Sequence, residues 1–155
     1  QLLAFRERYL ELYRSHCWDR SRVYDGIAEC LERIEQAGRR WGVVTNKPAW
    51  LTEPLLQEVG LFERAAVVVS GDTLDERKPH PAPMLLACER AGSQAHECLY
   101  VGDARRDIEA GRNAGMATLV ALFGYIGDDD PHGWGADALV ERPEDILAWL
   151  GVTRP

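Results

Sequence analysis

No apolar run in this 155-residue sequence approaches the length of a membrane span, which excludes a transmembrane helix. No signal peptide is visible. Positive charge is in short supply: 18 Lys and Arg face 25 Asp and Glu, for a net charge of −7. That balance argues against nucleic acid as a partner, because phosphate backbones need clustered Lys and Arg. It also suits a merely soluble surface, and it leaves room for a small anionic substrate in a locally positive pocket. The four cysteines, Cys17, Cys30, Cys88 and Cys98, form no Cys-x-x-Cys pair. They read as free, partly buried thiols of a reducing cytosol and not as zinc ligands. There are no repeats and no low-complexity segments. An initiator Met is missing too; the chain opens at Gln1 inside a helical pattern, and the expectation is a truncated N-terminus.

What is present is ordinary globular composition, 46% hydrophobic and 28% charged, enough for one domain with a core. Leu2, Phe5, Tyr9 and Leu12 recur at helical spacing, as do Ile27, Cys30, Leu31 and Ile34, with Gly38 as a stop. Trp41 to Thr45 reads as a short buried strand. Pro48 opens a helix with Leu51, Leu55, Leu56 and Val59 inward, ended by Gly60. Ala65 to Val69 is a second strand, and residues 81 to 92 a helix. Cys98 to Val101 is a third strand, followed by a helix from Ala104 to Ala114 closed near Gly115. Ala117 to Leu122 is a fourth strand. A polar loop spans residues 128 to 133, Leu139 and Val140 add a short strand, and Pro143 to Leu150 form the last helix. Strands alternating with helices predict an α/β fold of parallel β-α-β units covered on both faces. In such sheets ligands sit beyond the carboxyl ends of the strands.

Three polar segments occupy those ends in order. Thr45 and Asn46 offer a hydroxyl and a following backbone N–H just before a helix, which can hold phosphate oxygens or simply cap the helix. Lys78 precedes Pro79, which holds it in an extended turn, where an ammonium can neutralise a phosphoryl group or serve as a surface charge. Asp103 follows Gly102 at a strand end, and Asp107 lies four residues on, along the same helical face. Two such carboxylates suit Mg²⁺, with Asp103 as direct ligand and Asp107 orienting a metal-bound water or the Lys78 ammonium. Read without that role, Asp103 is a helix N-cap and Asp107 an exposed partner of Arg. Lys47 reads as solvent-facing and His80 as a turn residue. Asp72 either borders the site or makes a turn, and the turn is favoured. Asp25 reads as the N-cap of a helix that begins at once after it.

Taken together, Val44-Thr45-Asn46-Lys47-Pro48, Lys78-Pro79-His80-Pro81 and the run from Gly102-Asp103 through Asp107 to Gly115 resemble three of the four motifs of the haloacid dehalogenase-like superfamily, phosphoglycolate phosphatase branch. Gly124-Tyr125-Ile126 and Trp134-Gly135-Ala136-Asp137 also fit that branch. The resemblance runs from about Tyr24 to the end and is expected to include the first helix. It implies a Rossmann-like parallel sheet and a Mg²⁺-dependent phosphomonoester hydrolase working through an aspartyl-phosphate. By resemblance Thr45, Asn46 and Lys78 bind the phosphoryl group, with Thr45 and Lys78 in the catalytic set, and Asp103 binds Mg²⁺. The nucleophile motif Asp-x-Asp-Gly-Thr is absent from these residues. The expectation is therefore a core over 24–155 missing its first, central strand, between the strands ending at Thr45 and Asp103. Residues 1–23 are expected to be the residual end of a helical cap. A chain in that condition exposes two strand edges and is expected to be unstable or prone to aggregate.

The implied substrate is a small phosphorylated metabolite in the cytoplasm, 2-phosphoglycolate by default. N-acetylmuramate 6-phosphate or another sugar phosphate is the rival, because Trp41-Gly42-Val43-Val44-Thr45-Asn46-Lys47-Pro48 and the Asp-rich loop before Trp134 also resemble phosphatases of that kind. A non-catalytic fragment that binds phosphorylated ligands is a separate reading, and a phosphomutase of the same superfamily is a third.

Overall fold

The computed structural model describes residues 23–152. The expected first helix and nearly all of the 1–23 segment lie outside them. The described elements are α1 (Ile27–Gln36), β1 (Val43–Val44), α2 (Ala49–Glu58), β2 (Val68–Val69), α3 (Ala82–Ala91), β3 (Leu99–Gly102), α4 (Arg105–Ala114), β4 (Ala117–Ala121), β5 (Ala138–Val140) and α5 (Pro143–Trp149). Short 3₁₀ turns at Ala95–Glu97 and Pro131–Gly133 complete them. Every pairing is parallel, as strand–helix alternation requires.

The central strand of the larger sheet shows why both faces are covered. Along β4, Leu119 and Val120 point to opposite sides and neither is exposed to solvent. Leu119 packs with Cys30 and Ile34 of α1, Ile146 and Leu147 of α5, and Val140 of β5. Val120 packs with Ile108 of α4 and with Trp134. Full burial of side chains of this size is worth about 1.5–3 kcal/mol each. α3 lies against β1, β2 and α4.

One sequence expectation is corrected at the start of α1. The N-cap position belongs to Gly26, in the left-handed conformation at φ 88°, and no side chain caps the helix there. The left-handed turn sets Asp25 one residue outside the capping position, in an exposed turn. The start of α2 is capped from elsewhere. Asp72, beyond β2, accepts the Ala49 N–H at 2.8 Å, so the residue read as a turn also caps a distant helix. The strand expected over Trp41 to Thr45 is regular only at Val43–Val44. Its bonds to the second strand nevertheless run from the Trp41 carbonyl to the Thr45 N–H.

The described strands form two sheets, β1-β2 and β3-β4-β5. The Val43 and Thr45 N–H groups donate to Val67 and Val69. By strand alternation the backbone groups of Val44 therefore point away from β2. On the other side, the Ala117 N–H donates to Cys98, which directs Cys98, Tyr100 and Gly102 toward β4 and leaves the edge at Leu99 and Val101 free. Between the two edges lies a slot of about 750 Å³. Gly42 and Val44 line one side and Leu99 to Asp103 the other. Ile27, Cys30, Leu31 and Ile34 of α1 also line it, as do Met84, Ala87 and Cys88 of α3. The slot is thus bounded by strand edges on two sides and by apolar helix faces on the others.

Candidate active site

The carboxyl end of β1 delivers Thr45 and Asn46, and that of β3 delivers Asp103, so the two groups stand on opposite sides of the slot. Lys78 comes from the loop between β2 and α3, through a cis Lys78–Pro79 peptide. Asn46 holds that loop in place. Its Oδ1 accepts the Lys78 N–H and its Nδ2 donates to the Lys78 carbonyl, both at 3.1 Å. The Asn46 side chain is therefore committed to the Lys78 backbone.

Lys78 is only 9% exposed, uncommon for this residue type. Its Nζ donates to Asp107 Oδ1 at 2.7 Å, to Tyr100 Oη at 2.9 Å and to the Val44 carbonyl at 3.1 Å. An ammonium has three protons, so all three have protein acceptors. Tyr100 Oη in turn donates to the same Val44 carbonyl at 2.9 Å. Burial raises the Tyr100 pKa, and the charges of Asp107 and Asp103 raise it further. The phenol thus stays a donor across the neutral range.

Asp107 is buried at the start of α4. Its second oxygen, Oδ2, accepts the Asp103 and Ala104 N–H groups, both at 3.1 Å. One carboxylate therefore caps its own helix, shapes the Asp103 turn and pairs with Lys78. The exposed carboxylate considered from sequence does not occur, and neither does an Asp103 cap, since Ala104 holds the N-cap position. Gly102 makes the arrangement possible. A Cβ there would overlap the Asp107 Cβ and lie 2.6 Å from its Oδ2.

Asp103 is partly exposed. Its Oδ2 accepts the Tyr125 N–H at 2.9 Å, and Gly124 packs so close that a Cβ would sit 2.7 Å from that oxygen. Among the described residues no group of three or more His, Cys, Asp or Glu side chains is placed to hold a metal. The donor set still fits Mg²⁺, which binds through one or two carboxylates completed by water and substrate phosphate. Asp103 is the residue that fits, because Asp107 has both oxygens engaged. Thr45 Oγ1 accepts the Lys47 N–H at 3.1 Å, which leaves its hydroxyl proton to donate. Lys47 is exposed, and His80 Nδ1 accepts the Ala82 N–H at 3.1 Å, as a turn residue does.

The polar loop borders this end of the sheet. Asp129 accepts from Arg105 of α4 at 2.9 Å and from Trp134 Nε1 at 2.7 Å. Those bonds, Arg105 first, hold the Asp129 carboxyl below its ordinary pKa.

Sequence reasoning missed Tyr100. The available signal was its position two residues before Gly102, on the same face of β3, above the helix that carries Asp107. It also missed that Asn46 grips the Lys78 backbone, a contact between residues 32 positions apart.

The sequence pattern of the haloacid dehalogenase-like hydrolases matches residues 2–121. The phosphoglycolate phosphatase of Xanthomonas campestris pv. campestris (strain 8004) is 49% identical over 145 residues, covering 91% of this chain and 66% of that protein. The N-acetylmuramic acid 6-phosphate phosphatase of Pseudomonas aeruginosa is 46% identical over 143 residues, covering 92% of this chain and 63% of that protein. The chain thus spans just under two thirds of the length of these relatives. Among solved structures, a predicted phosphoglycolate phosphatase from Haemophilus somnus 129PT superposes with a TM-score of 0.85 at 31% identity. That match covers 92% of this chain and 64% of the other. The helices and parallel strands described above agree with that fold.

Proposed function

The chain belongs to the haloacid dehalogenase-like hydrolase family, and from that premise we propose that it is the phosphate-binding part of a Mg²⁺-dependent phosphomonoester hydrolase. The observation that carries the reading is the buried Lys78 ammonium, fixed by Asp107 at the same strand ends as Thr45 and Asp103. The Thr45 hydroxyl, the Asn46 backbone N–H and the Lys78 ammonium bind the phosphoryl oxygens. Asn46 and Asp107 position Lys78. Asp103 would hold Mg²⁺, whose chemistry when bound is to neutralise charge on the phosphoryl oxygens.

No Asp-x-Asp-Gly-Thr segment occurs in these 155 residues. In this reading the attacking carboxylate and the acid–base carboxylate, which together give the aspartyl-phosphate route, come from a strand outside the present sequence. That strand sits in the slot between β1 and β3. Its backbone would take over the Val44 carbonyl, and Lys78 would gain a proton free for phosphate. Residues 24–155 are then an incomplete core and residues 1–23 the end of a cap.

The substrate is a small phosphorylated metabolite of the cytoplasm. 2-Phosphoglycolate is supported by the 49% identical relative and N-acetylmuramate 6-phosphate by the 46% identical one. The test is phosphate release from both esters with Mg²⁺, by this chain and by a version extended to the length of those relatives. The expected result is turnover by the extended protein alone, abolished by Asp103→Ala, with the preferred ester naming the substrate. Turnover by the 155-residue chain itself would assign the nucleophile to a carboxylate within it and overturn the reading.

A further inference from the structure

Among the described cysteines, two stand close together. Cys88, in the last turn of α3, and Cys98, just before β3, bring their sulfurs to 3.8 Å, with the Cys88 thiol directed at Cys98. The Cys98 thiol donates to the Gln94 carbonyl at 3.2 Å. The connection between them leaves α3 through a left-handed Gly92 and is pinned by the Gln94 N–H on Glu97 at 3.1 Å. A disulfide bond is about 2.05 Å long, so the sulfurs must approach by less than about 2 Å. Cys30 is placed differently. It is 3% exposed, with its thiol on the Pro143 carbonyl at 3.4 Å, between α1 and α5.

We propose that Cys88 and Cys98 are an oxidation site, closing to an intramolecular disulfide when the protein meets a peroxide. The half-buried Cys98 is the sulfur an oxidant reaches, and the 7%-exposed Cys88 is the resolving partner. Burial, and then the neighbouring Cys98, push the Cys88 thiol up to about 11, so Cys88 is not the sulfur that meets the oxidant first. In the first step the Cys98 thiolate attacks one peroxide oxygen. An S–O bond forms, the O–O bond breaks, and the departing hydroxide takes a proton to become water. In the second, the Cys88 sulfur attacks the Cys98 sulfenic acid and displaces its hydroxyl, which leaves as water with the Cys88 proton. Two thiols and one peroxide thus give one disulfide and two waters. Both cysteines line the slot, so the cross-link ties α3 to the free-edge strand β3 along one wall of it.

The test needs no assumption about phosphatase activity. The wild-type chain is treated with one equivalent of hydrogen peroxide, alkylated and digested with trypsin. The expected product runs as a monomer on non-reducing electrophoresis and carries a disulfide joining the peptide of residues 78–90 to that of residues 91–105, lighter than the two thiol peptides by two hydrogens and split by reductant. The same treatment in urea should lose this preference, with Cys17 and Cys30 joining the pairing. In Cys88→Ser, Cys98 should instead accumulate a dimedone-reactive sulfenic acid. Pairing in the folded chain no more selective than in urea would overturn the proposal. So would over-oxidation of Cys98 to sulfinic acid while Cys88 is intact.

Discussion

Lys78 and Asp107 form an ion pair at 2.7 Å with their side chains only 7% and 8% exposed. Neither charge can be removed alone without stranding the other away from water. Asp107→Ala also releases the Asp103 and Ala104 N–H groups. Loss of one partner of such a pair costs about 3–5 kcal/mol. Replacing both, as in Lys78→Met with Asp107→Leu, should cost less than the sum of the single changes. Urea denaturation of the two singles and the double checks this, and strict additivity would mean the pair does not interact.

Tyr100 supplies a second, separable effect. Tyr100→Phe removes one of the two donors to the Val44 carbonyl and one acceptor of Lys78, at a cost of about 1 kcal/mol. The native pKa of Tyr100 is raised, so its stabilising contribution is complete below the unfolded phenol value of about 10. It is lost as pH rises above that value, because the unfolded phenol ionises first. Alkaline titration of stability should therefore fall more steeply for wild type than for Tyr100→Phe above about pH 10. Parallel curves would show that Tyr100 does not carry the effect.

Gly102 makes a sharper steric claim. Gly102→Ala drives a methyl into the Asp107 side chain, which cannot retreat without giving up Lys78 or its backbone donors. Overpacking of this kind costs about 1–3 kcal/mol. In the extended protein it should also lower kcat, because Lys78 loses its fixed partner. Wild-type stability and turnover in Gly102→Ala would show that the carboxylate has room to move.

Much of this was legible in the sequence because local pattern and tertiary role agree. The helix over Ile27–Gln36 announced itself by four apolar residues falling on one helical face, and the strand at Leu99–Gly102 by an apolar run ending in Gly102-Asp103. What was not legible depends on residues meeting across the sheet. Nothing local to Asn46 says that its amide grips Lys78, and nothing near Tyr100 points to the Val44 carbonyl 56 residues away. Asp25 failed for the opposite reason. A good capping residue stood in a good place, but the left-handed Gly26 took the position.

The slot gives the last prediction. Among the described residues β1 pairs only with β2, and β3 only with β4, so two strand edges face a gap of about 750 Å³ flanked by the apolar faces of α1 and α3. Lys78 and Tyr100 satisfy the Val44 carbonyl at one end, but the free edge at Leu99 and Val101 has no such cover from β1. Unpaired edges beside exposed apolar surface are templates for association with other chains. The purified 155-residue chain should therefore self-associate as its concentration rises. A peptide carrying an Asp-x-Asp-Gly-Thr segment after an apolar run should suppress that and raise Tm, by seating parallel to both edges. Size-exclusion chromatography with light scattering, repeated with and without the peptide, reads both effects. A monodisperse monomer with a cooperative thermal transition, indifferent to the peptide, would mean that the two edges are closed in solution by contacts within the chain.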